Sequence, residues 1–455
     1  MTAMLIQGGH LVDPSKGTDE RRDLYLRDGR VVAVEMPGKL AALAKKEKAT
    51  VVNATGVVVA PGLVDIHVHL REPGQAYKET IETGTQAAAA GGFTSVCAMP
   101  NTSPVNDSPE TTRWMQAADR NAVVRVFPIA AATLGSRGEA IADYKALQAA
   151  GAVAVSDDGK PILEDNIMFE SLAQAARAGL PVIQHAEDTR ITQGASMNAG
   201  SLSFRLGLRG MSVDAESSIV ERDIELLSRL RKGDPSSRAH LHVAHLSTAK
   251  ALEAVRRAKR SGLHVTCEVA PHHFALTQAA IGDYNTDAKM NPPLRSEEDR
   301  AALISGILDG TVDAIATDHA PHALHEKEQE FERAPNGIIG LETALGLSLL
   351  VLHRQHRMPL MRVLALLSSQ PAQLLHLKDR GSLAVGSFAD IVLFRPNDDW
   401  QFHVSRSKSK SRNSPFDGLK LPGRIQMTIS EGRIVHGAGT HVGLSTEPAA
   451  DTIKR

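Results

Sequence analysis

The sequence predicts an α/β chain, a (β/α)8 barrel with a small β-sandwich domain formed by its N- and C-terminal segments. Three observations predict it. From Pro61 to about residue 375, short β-branched runs alternate with longer helical stretches, and eight strand candidates are counted. On either side of that region the texture changes to short strands and turns. Within it, histidines and aspartates fall at strand ends, where a barrel of parallel strands carries its active site.

Residues 1–60 supply the N-terminal part of the small domain. Leu24-Tyr25-Leu26 leads into Asp28-Gly29, a hairpin signal, and then Val31-Val32-Ala33-Val34. Val51-Val52 and Val57-Val58-Val59-Ala60 flank a turn at Thr55-Gly56. Between the two pairs, 40–48 reads as a charged helical or loop insert whose Lys45-Lys46-Glu47-Lys48 run is a solvated face. Residues 61–375 form the barrel, with strands at 64–67, 95–99, 124–128, 153–156, 182–185, 242–245, 265–269 and 314–318, separated by helices such as 166–178, 248–261 and 296–308. Two connections, 187–215 and 319–342, are long loops of the kind that carry function. The second contains Pro335-Asn336-Gly337-Ile338-Ile339-Gly340, suited to a lid or to a backbone that approaches a substrate. Strands return at 389–394, 424–429 and 432–435 within 376–440, the C-terminal part of the small domain, and 441–455 reads as a disordered polar tail.

Composition narrows the function. The 455 residues include 51 Lys and Arg against 52 Asp and Glu, a net charge of −1, so nothing favours nucleic acid or an anionic membrane as partner. No apolar run is long enough to span a membrane, and the N-terminus lacks a secretory pattern. Cys97 and Cys267 lie in apolar strand-like runs and read as buried free thiols. A cytoplasmic location fits these features.

The strand ends carry the chemistry. The first ends Asp65-Ile66-His67-Val68-His69, and alternation puts His67 and His69 on one face, a ready metal chelate. The fourth ends Ser156-Asp157-Asp158-Gly159, and the fifth ends Gln184-His185-Ala186-Glu187. The sixth ends at His245; parity places His240 and His242 on the opposite face from it, read as facing the surrounding helices. The eighth ends Thr317-Asp318-His319-Ala320-Pro321-His322. Four histidines and two aspartates at one barrel mouth favour a borderline ion such as Zn²⁺, one or two per subunit. Asp157 and Asp158 point to opposite faces if their strand continues, and the sequence does not set which of them reaches the metal.

These strings, with Pro61-Gly62-Leu63-Val64 and Leu70-Arg71-Glu72-Pro73-Gly74 flanking the His-x-His pair, Met99-Pro100-Asn101-Thr102, Met290-Asn291-Pro292-Pro293-Leu294-Arg295 and Lys408-Ser409-Lys410-Ser411-Arg412-Asn413-Ser414-Pro415, resemble the class I dihydroorotases of the amidohydrolase superfamily. The likeness runs from residue 4 to about 437. It implies reversible interconversion of L-dihydroorotate and N-carbamoyl-L-aspartate in de novo pyrimidine biosynthesis. It implies metal ligation by His67, His69, Asp158, His185, His245 and Asp318, with Asp318 also shuttling the proton between the attacking water and the ring nitrogen. Arg71, Asn101 and His322 match groups that hold the substrate carboxylate, Asn291 a polar contact near the ring, and His273 a family histidine with no role assigned. Relatives acting on hydantoins or allantoin place a carboxylated lysine after the fourth strand. No lysine precedes Asp157-Asp158 here, and Lys160 is past the turn. The alternatives are therefore an allantoinase- or dihydropyrimidinase-type enzyme, disfavoured by that departure and by Arg71, and a non-catalytic homologue partnering aspartate carbamoyltransferase, disfavoured by the complete ligand set. A homo-oligomer, with association with aspartate carbamoyltransferase, belongs to the same expectation.

Overall fold

The computed structural model describes residues 3–437 and 444–445. Ala3–Asp13 pairs antiparallel with Thr18–Arg27, and that strand with Arg30–Glu35. The second hairpin turns on Asp28 and Gly29, both at positive φ (51° and 79°), the backbone that a two-residue hairpin loop of this hand demands. On the other side of Ala3–Asp13 the sheet continues through Val58–Pro61, Ile391–Arg395, Arg424–Ser430 and Arg433–His436. Thr50–Asn53 joins alongside Ala3–Asp13, so strands from both ends of the chain share one nine-stranded sheet. Its main core is Ile6, Leu11, Leu24, Leu26, Val59, Ile391, Leu393 and Met427.

Of the helical and loop forms expected for the charged insert, the helix is the one found: Ala41–Glu47 covers Leu5 and Tyr25 with Leu40 and Ala44. Its Glu47 accepts hydrogen bonds from the Tyr25 hydroxyl (2.8 Å) and Arg27 (3.1 Å), so that carboxylate ties helix to sheet. The tail expected over 441–455 lies outside the described residues except for Leu444–Ser445, which is not disordered: it pairs antiparallel with Thr50–Asn53.

Val58–Pro61 runs through Gly62 straight into the first barrel strand, Leu63–Val68. A Cβ at Gly62 would lie 2.2 Å from Thr94 Oγ1, which is why a glycine stands at this junction. The remaining barrel strands are Phe93–Ala98, Arg125–Ala130, Ala154–Ser156, Val182–Gln184, Leu241–Val243, Val265–Val269 and Ala314–Ile315, parallel and in chain order. The ring closes where Val68 bridges His319 and the His69 amide donates to the His319 carbonyl (2.8 Å). Val64, Ile66, Cys97, Ile129, Ala154 and Ile183 are packed together inside, while Leu241, Val243 and Val265 pack with the helices. The helices begin where polar caps stand: Thr248 accepts from the Ala251 amide ahead of Ala249–Arg260, and Ser296 from the Asp299 amide ahead of Glu297–Asp309. Cys97 and Cys267 are buried and free. Among the described residues no helix is long and apolar enough to cross a membrane.

The sixth strand overturns one reading. With Leu241 and Val243 turned to the helices, His242 turns inward, fully buried, where it meets Glu268. His240, which meets Thr266, shares a cavity with Arg177 and Arg231 of two surrounding helices. The connection 187–215 is also more ordered than a plain loop: it holds the helices Thr189–Thr192 and Ser201–Leu206 and a two-stranded pairing of Met197–Asn198 with Gly210–Met211.

Candidate active site

The strands stop short of the residues that matter. Asp158, His185, His245 and Asp318 lie one to three residues past the ends of their strands, where the backbone is free to turn. His245 and Asp318 have positive φ (29° and 48°), uncommon for residues with side chains, and Gly159 (73°) turns the chain immediately after Asp158. These turns bring five strand ends to one point.

At that point the Asp158 carboxylate stands among four imidazoles. Its Oδ1 is 3.4 Å from His67 Nε2, 3.7 Å from His185 Nδ1 and 3.6 Å from His245 Nε2, and its Oδ2 is 3.5 Å from His69 Nε2. Asp318 Oδ1 lies 3.1 Å from His69 Nε2 and 3.6 Å from His67 Nε2. Two triads, His67-His69-Asp318 and His67-Asp158-His245, each gather their donor atoms within 4.8 Å of one another. All these side chains are buried. Burial alone would raise the Asp158 and Asp318 carboxyls; the surrounding histidines instead hold both well below the ordinary carboxylate range.

The donor set fits a divalent ion. His67 Nε2 and Asp158 Oδ1 are buried and have no hydrogen-bond partner, although they face each other at the centre of the cluster. Orphaned buried lone pairs of this kind are costly unless something electropositive sits between them. Imidazole nitrogens with carboxylate oxygens are the ligands that Zn²⁺ accepts.

Asp157 is elsewhere. It accepts from the Thr133 amide (3.0 Å) and hydroxyl, and so pins the turn between the third and fourth strands. Around the cluster a cavity of about 290 Å³ is lined by Arg71, Asn101, Asn291 and His322 as well as His69, Asp158, His185, His245 and Asp318, with Asn336 and Gly337 forming part of its wall. Arg71 is buried, yet pairs with no carboxylate among the described residues; its Nε donates to the Pro321 carbonyl (3.1 Å). His322 lies with Nε2 3.3 Å from Arg71 Nη2 and 2.8 Å from the Asn336 carbonyl, and burial followed by the charges of Arg71 and Lys78 lowers its pKa to about 3. Asn291 donates to Glu187 (2.7 Å) and leaves its Oδ1 buried and unpartnered. Asn101 accepts from His69 Nδ1 (2.8 Å) and donates to Asp158 Oδ2 (3.3 Å). His273 sits behind the wall, bonded to the Pro292 carbonyl (2.9 Å).

Four supporting residues escaped the sequence reading. Glu187 meets His185 Nε2 at 2.9 Å, and its spacing of two from that histidine was the available signal. Glu268, an acid inside the apolar run of the seventh strand, meets His67 Nδ1 at 2.7 Å. Glu79 accepts from the Lys410 amide (3.0 Å) and the Ser409 hydroxyl and so anchors the 408–415 string over the barrel. Asn413 of that string donates to the Ala320 and Gly337 carbonyls (both 3.0 Å) and accepts from the His322 amide (3.1 Å). The glycine-bearing segment 335–340 is thus tied down, with Gly337 also donating to the Lys289 carbonyl (3.0 Å).

Comparison with known proteins gives a consistent picture. Residues 56–251 match the family described as dihydro-orotase-like, and residues 335–436 match the amidohydrolase family. The dihydroorotase of Citrifermentans bemidjiense is 46% identical, over 96% of this chain and 100% of its own. That of Anaeromyxobacter sp. is 46% identical over 96% and 98% respectively. Among solved structures, the dihydropyrimidinase of Brevibacillus agri superposes with a TM-score of 0.81 at 23% identity, covering 98% and 97% of the two chains. The L-hydantoinase of Arthrobacter aurescens gives 0.82 at 23% over 95% and 96%; these two bear on the fold alone.

Proposed function

The chain belongs to the dihydroorotase family of cyclic amidohydrolases, and from that premise we propose how its residues divide the reaction between L-dihydroorotate and N-carbamoyl-L-aspartate. In this reading His67, His69, Asp158, His185, His245 and Asp318 would hold Zn²⁺, one or two ions per subunit. Bound there, the metal supplies a water acidic enough to attack at neutral pH and polarises the ring carbonyl. Asp318 takes the proton from the attacking water at a carboxylate oxygen and delivers it to the ring nitrogen as the ring opens. Asn101 and Glu187 keep the imidazoles of His69 and His185 in one orientation through the bonds they already make.

The observation that carries the substrate assignment is Arg71. A buried guanidinium with no carboxylate partner, on the wall of the cavity that holds the metal cluster, is suited to a substrate that brings its own carboxylate. Asn101 and His322 add to that grip by exchanging a present contact for a carboxylate oxygen. The free Oδ1 of Asn291 accepts from a ring N–H. The test is to assay one preparation, with its metal content measured, on dihydroorotate and on dihydrouracil, which lacks the carboxylate. Turnover of dihydroorotate alone is expected; preference for dihydrouracil would reassign the substrate. A homo-oligomer, association with aspartate carbamoyltransferase and a cytoplasmic location also belong to this reading. Light scattering of the chain with and without that enzyme tests the first two.

A further inference from the structure

Beneath the metal cluster lies a run of polar side chains that the reaction does not use. Glu268 Oε1 is 2.7 Å from His67 Nδ1, and its Oε2 is 3.2 Å from His242 Nε2. His242 Nδ1 is 2.8 Å from Thr266 Oγ1, which is 2.7 Å from His240 Nε2. Glu268, His242 and His67 are completely or almost completely buried. Glu268 Oε1 also accepts from the His245 amide (3.4 Å), so both oxygens face nitrogens that can donate, the surroundings of a carboxylate.

Donor rules give this chain one direction. A carboxylate only accepts, so the nitrogens facing Glu268 carry hydrogen: His67 at Nδ1 and His242 at Nε2. A neutral His242 then has a bare Nδ1 and accepts from the Thr266 hydroxyl. That hydroxyl has spent its one hydrogen, so it accepts from His240 Nε2. His240 Nδ1 is left bare, and it is indeed a buried atom without a partner. At the other end the same logic leaves a lone pair on His67 Nε2, the atom 3.4 Å from Asp158 and 3.6 Å from Asp318.

We propose that Glu268 is a positioning residue that holds His67 in its Nδ1–H form with the Nε2 lone pair aimed into the metal cluster, and that His242 and Thr266 orient Glu268 in turn. Without the carboxylate, His67 has no acceptor to keep its hydrogen on Nδ1, and the alternative tautomer puts a hydrogen where the ion belongs. The inference rests on the reading of His67 as a metal ligand.

Glu268→Gln tests it at nearly constant shape. An amide offers one acceptor and one donor end to two imidazoles, so one of them must change tautomer. The variant is expected to bind Zn²⁺ about 10–100-fold more weakly in chelator competition, while its circular dichroism is unchanged. ¹⁵N spectra of histidine-labelled protein should show a changed tautomer for His67 or His242. His67→Ala separates the two ideas. If that variant binds Zn²⁺ as tightly as the parent, the ligand reading itself fails. If it loses Zn²⁺ while a folded Glu268→Gln keeps parental affinity, the positioning role is overturned and Glu268 only fills the barrel. Thr266→Val covers the case in which glutamine prevents folding. It leaves Glu268 intact and removes the hydroxyl donor, so the His242 resonances should shift with a smaller loss of Zn²⁺ affinity; parental spectra and affinity overturn the chain.

Discussion

The two ends of the barrel are both concave and both rich in histidine, yet they differ in kind. At the floor, a cavity of about 640 Å³ is lined by Arg177, Arg231, Arg238, His240, His264 and His376, with no carboxylate among its described residues. The rings of His240 and His264 stack there at 3.9 Å, and burial, then His264, lowers the pKa of His240 to about 2. At the mouth the cavity is less than half that size, but two carboxylates stand among four imidazoles with lone pairs left over. Cavity size therefore does not mark the reactive end. The mark is a set of buried donors arranged around a point that no protein atom satisfies.

The contrast predicts a gradient of effects. The largest is at the metal. Prolonged chelation should abolish turnover and added Zn²⁺ restore it, and Asp158→Ala should lose metal by elemental analysis along with activity. Asp157→Ala, which loses its bonds to Thr133, should cost about 1–3 kcal/mol in denaturant unfolding yet keep metal and much of its turnover. Reversed phenotypes would mean that the wrong aspartate stands in the cluster. Next comes Asp318→Asn, expected to reduce kcat by about 10² or more with metal retained; a near-normal kcat would move the proton shuttle elsewhere. Arg71→Leu follows. It should lower kcat/KM for dihydroorotate by about 2–4 kcal/mol and weaken any dihydrouracil turnover less. Equal losses on both would take Arg71 out of the carboxylate site. Smallest is His264→Ala at the floor, where turnover should stay roughly at the parental level; a collapse there would erase the distinction between the two ends.

Much of this was legible in the sequence because it depends on periodicity. Eight β-branched runs between helical stretches announce the barrel, and the His-x-His pair declares a shared face by alternation alone. What was not legible depends on where alternation stops. The positive φ of His245 and Asp318 breaks the parity that links them to their strands, so the sixth strand's inward residue is His242 while His245 still reaches the mouth. Contacts made across the barrel were equally hidden. Nothing local to Glu268 names His67 as its partner, and nothing near Glu79 points to Ser409 and Lys410. The 408–415 string was recognisable only as a resemblance, because its work is to hold loops that are distant in the chain.

That string also sets an order of assembly. Every proposed metal donor stands at or before Asp318 in the chain, but the wall that bears His322 and Gly337 is fastened by Asn413. Completion of the substrate pocket thus waits on the far end of the polypeptide, and a protease cut within 408–415 should free that wall while the metal donors stay in place.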